Sequence, residues 1–314
     1  MAPTSRYGRP LELGLFPVPT SADLEETRSI ARRADELGLD LIGIQDHPYQ
    51  WRFLDTMALI GQLLAETSRV RIFADVANLP LRHPAMLAKE AASLDVLSSG
   101  RYELGIGAGA FWDAIVAMGG PRRRPAEAVE ALEEAIAIIR TAWSGERSVR
   151  FRGRHYVVDG YHPGPPPVHD IEIWVGAYRP RMLRLTGRLA DGWIPSLGQI
   201  DLGALADGQR LIDEAALRAG RDPSAIRRML NVGGSIGPSA GELGMRFGPS
   251  AGGLSGSVDE WVERLSGWAT ELGLDTFILW PTVAEPGQVE TFGRVIATQT
   301  RTEVARRRAS ARVG

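Results

Sequence analysis

The sequence predicts an α/β fold, a (β/α)8 or TIM barrel, on three observations. Short apolar runs of β type alternate with longer helical runs along the chain, eight of the former can be counted, and turn residues flank them. Alternation on this scale implies parallel strands with right-handed crossovers, which form an open doubly wound sheet or close into a barrel. Eight units favour the barrel.

The first strand is Leu11 to Phe16, and the helix after it, Ser21 to Leu37, opens on Ser-x-x-Leu-Glu-Glu and ends at Gly38. Strand two is Leu39 to Gln45, followed by the amphipathic run Phe53 to Thr67. Strand three, Val70 to Ala77, leads to helix Pro84 to Leu97, with proline in its first turn and Gly100 beyond its end. Strand four is Arg101 to Ile106, and its helix runs from Pro125 to Trp143. Strand Ile171 to Val175, helix Pro180 to Ala190, strand Gly192 to Ile194 and helix Leu202 to Ala219 continue the pattern. Strand Ile226 to Val232, helix Val258 to Leu272, strand Thr276 to Trp280 and helix Val289 to Arg307 complete it.

Two segments break the rhythm. Residues 146–168, after the fourth helix, read as a hairpin followed by the stiff run Pro163-Gly-Pro-Pro-Pro. Residues 233–257, after the seventh strand, are glycine-rich without periodicity, which suits either an active-site lid or a disordered loop. The basic end, 305–314, reads as a solvated or frayed helix end or as an anion-binding arm. A single domain over 1–314 accommodates all of this, since α/β barrels routinely reach this length.

Composition narrows the partners. A net charge of -2 and a pI near 6.3 give no global attraction to nucleic acid or an acidic membrane, and no apolar run is long enough to span a bilayer. The absence of cysteine removes disulfides, thiolate nucleophiles and cysteine metal sites. With no apolar leader in MAPTSRYGRP, a cytoplasmic location is expected. The histidines show neither His-x-x-x-His spacing nor carboxylate clusters, so metal-assisted hydrolysis has little support.

In such a barrel active residues lie just beyond the strands, because the βα loops gather at one face. That rule selects Phe16 after strand one, then Asp46, His47 and Trp51 after strand two. It selects Asp75 and Asn78 after strand three, and Gly107, Gly109, Phe111 and Trp112 after strand four. After strand five, Gly176-Ala-Tyr-Arg-Pro180 enters a helix directly, which is either an ordinary turn or a place where unpaired N–H groups and the positive helix end meet a phosphate. Gly105-Ile-Gly-Ala-Gly109 offers a second loop of bare backbone toward the same anion. Its spacing and position are not those of a dinucleotide fingerprint. His47 beside Asp46 is either structural or a proton-transfer group working near neutral pH.

Two blocks carry a family resemblance: Arg82-His-Pro-Ala through Asp95-Val-Leu-Ser-Ser-Gly-Arg101 into Leu104-Gly-Ile-Gly-Ala-Gly109, and Gly176-Ala-Tyr-Arg-Pro-Arg-Met through Thr186-Gly187 with Ala190-Asp-Gly-Trp193. Over nearly the whole chain the sequence resembles the luciferase-like monooxygenase superfamily, whose barrels bind reduced flavin mononucleotide (FMN) or the deazaflavin coenzyme F420. The resemblance implies that Asp46 and His47 are the Asp-His of the F420-dependent members, with the histidine in proton transfer, and that Trp51 matches a tryptophan of the sugar-phosphate dehydrogenase branch. It implies a non-prolyl cis peptide at Asp75-Val76 behind the isoalloxazine ring, Asn78 at the ring's polar edge, and Gly107, Ala108, Gly109, Gly176, Ala177, Tyr178 and Arg179 around the phosphate.

One departure bears on substrate. Where that dehydrogenase branch carries an acidic residue just after its Gly-x-Gly, this chain has Ala110, which argues against glucose 6-phosphate. Phe16, Tyr49, Trp51, Phe111 and Trp112 would instead line an aromatic substrate mouth, unless part of the set is core. The resulting expectation is F420-dependent hydride transfer to or from an apolar or aromatic compound. The alternatives are a two-component monooxygenase using reduced FMN and a non-catalytic flavin-binding protein. The resemblance also implies a homodimer, with a flavin or F420 reductase as electron supplier.

Overall fold

Inward-facing glycines opposite large rings decide how this sheet closes. The computed structural model describes residues 8–237, 253–281 and 286–313. The barrel strands are β1 (Glu12–Leu15), β2 (Leu41–Ile44), β3 (Arg71–Ala74), β4 (Tyr102–Gly107), β5 (Ile173–Val175), β6 (Gly192–Trp193), β7 (Arg227–Ile236) and β8 (Thr276–Pro281). Each pairs in parallel with its sequence neighbours. β8 pairs β1 through Glu12 and Thr276, and β6 pairs β7 through Gly192 and Arg227, so the sheet is a closed barrel.

Period-two alternation sends Leu13, Leu15, Ile42, Ile44, Ile72, Leu104, Ile106, Leu230 and Val232 outward into the helix layer. Leu41, Phe73, Trp174, Met229 and Ile278 point inward and fill the interior. Phe73 and Trp174 pack edge to face with centroids 4.8 Å apart. Glycines make the space: a Cβ on Gly43 would sit 3.0 Å from the Phe73 ring, and one on Gly192 would sit 2.5 Å from Trp174.

Ion pairs close the end of the barrel where the strands begin. Arg71 bridges Glu12 at 2.6 Å and Glu103 at 2.8 Å, and Arg227 bridges Glu12 at 2.8 Å and Glu172 at 3.3 Å. These side chains come from β1, β3, β4 and β7 and the residue before β5, so the ring spans the barrel's width.

The outer helices are α1 (Leu24–Glu36), α2 (Thr56–Glu66), α3 (Pro84–Ser98), α4 (Pro125–Trp143), α5 (Pro180–Leu189), α6 (Leu202–Arg218) and α7 (Val258–Glu271), with a final helix over 286–313 that includes a π-type turn at Phe292–Ile296. Caps fix several starts. Asp55 accepts from Ala58 N–H at 3.0 Å, Asp201 from Ala204 N–H at 2.8 Å, and Ser257 with Glu260 forms a capping box. No helix among the described residues is long and apolar enough to cross a membrane.

The hairpin Val149–Arg152 with Val157–Tyr161 stands where the sequence indicates it. Two expectations need correction. Residues 233–236 are not loop: they prolong β7, and Leu254–Gly256 pairs beside them as a further parallel strand. Gly234 is bare because Leu254 backbone occupies the place of a side chain. The part of that segment at 238–252 lies outside the described residues. A short helix, Trp112–Ala117, follows β4 where only loop was expected. Near the carboxyl end, Arg306 pairs with Glu303 of its own helix, and Arg307 with Glu303 and with Glu263 of α7, on a helix that runs to Val313.

Candidate active site

The site lies where the strands end, and three glycines shape it around one valine. The Asp75–Val76 peptide bond directly after β3 is cis. A Cβ on Gly107 would stand 2.7 Å from a Val76 methyl, and those on Gly105 and Gly176 3.2 Å from one. Val76 is therefore a ledge bordered by backbone without side chains. Gly105 and Gly107 belong to β4 itself and face Val76, so they form no flexible anion loop. That role is left to Ala108 and Gly109, where Gly109 has φ +105° and Pro80 and Trp112 fill the space of a side chain.

Asp46, expected to be catalytic, is engaged otherwise. Its carboxylate, with a fully buried side chain, accepts from Arg82 Nε at 2.7 Å, Arg82 Nη2 at 2.9 Å and the Asn78 N–H at 2.8 Å. Arg82 also bonds Asp55 at 2.7 Å. This clasp ties the loop after β2 to the loop after β3 and to the start of α2, and so sets the position of Asn78. Among the described residues the Asn78 side-chain oxygen has no hydrogen-bond partner although it is buried, which leaves an acceptor for a ligand.

His47 is half-buried. Its Nδ1 lies 2.7 Å from the Tyr49 hydroxyl, and its ring packs edge to face on Phe111 at 5.5 Å. Burial holds its pKa below the usual imidazole range despite the opposing charge of Asp46. Burial, with Asp46, pushes the Tyr49 phenol up to about 12, so that hydroxyl keeps its proton. Tyr49 and Phe111 rings lie 6.0 Å apart and complete an aromatic wall.

The other expected residues divide. Phe16 is buried against Trp280 at 5.3 Å and belongs to the barrel interior, because it follows Gly14 on the inward phase of β1. Trp51 is 83% exposed with Arg52 stacked over it, so it stands in solvent. Trp112 is half-buried under Gly109. Ala177 is buried in the outer core and its carbonyl accepts from Trp193. The Tyr178 hydroxyl accepts from Ser196 N–H at 3.1 Å.

Arg179 precedes α5 without a side-chain cap, and the first turn carries no acidic residue. Its orphan N–H groups, together with exposed Arg179 and Arg181, give an electropositive seat. Sequence reasoning reached Arg82 only within the Arg82-His-Pro-Ala block, without a role, and missed Asn231. Asn231 lies inward on β7, and its buried side-chain oxygen also has no partner among the described residues. A polar residue set between Leu230 and Val232 was the available signal.

Ledge, orphan acceptor and uncapped helix fit a planar ring carrying a phosphate, and define the class as a ligand-binding barrel with its site at the strand ends. Residues 10–270 match the luciferase-like monooxygenase family, and the chain belongs to it. It is similar to the F420-dependent glucose-6-phosphate dehydrogenase of Gordonia bronchialis, 32% identical over 235 residues, 71% of this chain and 68% of that protein. It is also similar to the F420-dependent hydroxymycolic acid dehydrogenase of Mycobacterium tuberculosis, 31% identical over 224 residues, 66% of this chain and 58% of that protein. The fold matches a solved F420-dependent secondary alcohol dehydrogenase in complex with an F420-acetone adduct, with TM-score 0.81 and 18% identity over 94% of this chain and 99% of that one.

Proposed function

We propose that this chain is an F420-dependent oxidoreductase that interconverts an alcohol and a carbonyl on an apolar or aromatic compound. The observation that carries the reading is His47, largely neutral at pH 7, bonded to Tyr49 and walled by Phe111 in the loop after β2. The names of the relatives, several of them F420-dependent dehydrogenases, support the cofactor.

Coenzyme F420, when bound, supplies a ring carbon that accepts or gives a hydride. Val76 and the bare backbone around it would support the ring, Asn78 would meet its polar edge, and Ala108, Gly109, Gly176 and the start of α5 with Arg179 would hold the phosphate. His47, its Nδ1–H donating to the Tyr49 hydroxyl, takes the alcohol proton at its bare Nε2 and becomes imidazolium; in the reverse direction the imidazolium returns that proton from Nε2 to the carbonyl oxygen, and Tyr49 accepts from Nδ1–H throughout. Asp46 positions Asn78 through the clasp.

Ala110, Phe111 and Tyr49 give a mouth without the acidic residue of the sugar-phosphate branch, which supports an apolar substrate over glucose 6-phosphate. The reading extends to a cytoplasmic homodimer served by a separate F420 reductase.

The test is titration with F420 and, separately, with oxidised and reduced FMN, followed by protein fluorescence. It is paired with F420 reduction over an alcohol panel by wild type and His47→Ala. Saturable F420 binding, with turnover lost and binding kept in His47→Ala, is expected. Selective binding of reduced FMN moves the chain to the monooxygenases, and unchanged turnover in His47→Ala removes the proton role.

A further inference from the structure

Asp75 presents a buried carboxyl that the reaction above does not use. Two residues beyond Phe73, it takes the same inward phase, and its backbone N–H is fixed on the Ile44 carbonyl at 2.8 Å. A Cβ on Gly43 would stand 2.9 Å from Asp75 Oδ2, so the carboxyl lies over the bare backbone of β2 inside the barrel. That oxygen is buried and has no hydrogen-bond partner among the described residues. Asn231, which bonds Ser196 at 3.4 Å, reaches the same carboxyl from β7. The next peptide bond leads to Val76, the ledge of the cofactor seat.

We propose that Asp75 is a proton-exchanging positioning residue of the cofactor seat: ionised in the open barrel, it takes up a proton as the cofactor covers it, so that binding and protonation are coupled. The inference rests on the cofactor reading given above. An ionised carboxylate only accepts hydrogen bonds, and a buried one with a single amide donor and one oxygen left bare keeps an uncompensated desolvation cost. Already in the open barrel, burial pushes Asp75 up to about 7, opposed by the Asn231 amide. A ring laid across the mouth removes the remaining water, and its phosphate adds negative charge; both raise the pKa further.

The groups facing Asp75 are Gly43 of β2, Phe73 of β3, Asn231 of β7 and Tyr178 beyond β5. Of these Tyr178 titrates, and burial lifts its phenol above the usual range, so it stays neutral. His47 titrates below the usual imidazole range and covering it favours its neutral form, so it takes up no proton above neutrality.

The experiment is calorimetric titration of the full chain with F420 in two buffers of different ionisation enthalpy, for wild type, Asp75→Asn and Asp75→Ser. At about pH 8 wild type is expected to take up nearly one proton per F420 bound, falling toward zero at about pH 6 where Asp75 is already protonated. Both variants are expected to bind F420 with that uptake abolished. Binding without uptake, or uptake that persists in a folded variant, overturns this inference and leaves the cofactor reading intact. Absence of F420 binding in wild type overturns both.

Discussion

Replacing Arg82 with Met tests the clasp that orders the site. Asp46 has a fully buried side chain and Arg82 keeps 12% exposure, so little solvent screening reduces their interaction, whereas Asp55 is half exposed and contributes less. Arg82→Met strands the Asp46 carboxylate with the Asn78 N–H as its remaining bond. Breaking one side of a buried pair costs about 3–5 kcal/mol. Unfolding entropy of about 2.1 cal/mol/K per residue over 314 residues sums to roughly 0.66 kcal/mol/K, so Tm should fall by about 5–8 °C. Asp46→Asn combined with Arg82→Met should recover much of the loss, because no buried charge remains. Calorimetric melts of the three proteins decide the matter. A loss under about 1 kcal/mol, or a double variant no more stable than Arg82→Met, would refute the reasoning.

Three further outcomes follow from the site's packing. Gly107→Ala puts a methyl 2.7 Å from a Val76 methyl that is hemmed in by Gly105 and Gly176; stability should fall by about 1–3 kcal/mol and F420 affinity by at least tenfold, read by denaturant melts and fluorescence titration. Tyr49→Phe removes the partner of His47 Nδ1 and should lower kcat roughly tenfold or more with little change in KM. In wild type, alcohol oxidation should persist at pH values where an ordinary imidazole is half protonated, because burial keeps His47 neutral there, and should decline only as pH drops through the lowered pKa.

The barrel was legible because strands buried on both faces read as unbroken apolar runs, and β1, β2, β3, β5 and β6 sit inside the stretches so identified. The end of β7 was not, since Gly233 and Gly234 carry the composition of a loop; their reason, a second strand pressed against them, is a contact across the sequence. At the site, His47 could be placed by the rule that βα loops gather at one face, and Tyr49 only through the aromatic set expected at the mouth. The partner of Asp46 could not, because Arg82 stands 36 positions away, and nothing local shows that a carboxylate beside a histidine is already spoken for. Trp51 shows the converse error: four residues from His47 in sequence, it turns out to solvent.

The ionic ring and the Phe73–Trp174 plug have a consequence for traffic. With the far end shut, the barrel is a cup rather than a tube, open where the strands end and where Tyr49 and Phe111 stand. On the cofactor reading proposed above, a cup fills from the bottom: what rests on the ledge enters before the molecule that reacts above it, so the order of loading follows the shape of the vessel rather than relative affinity.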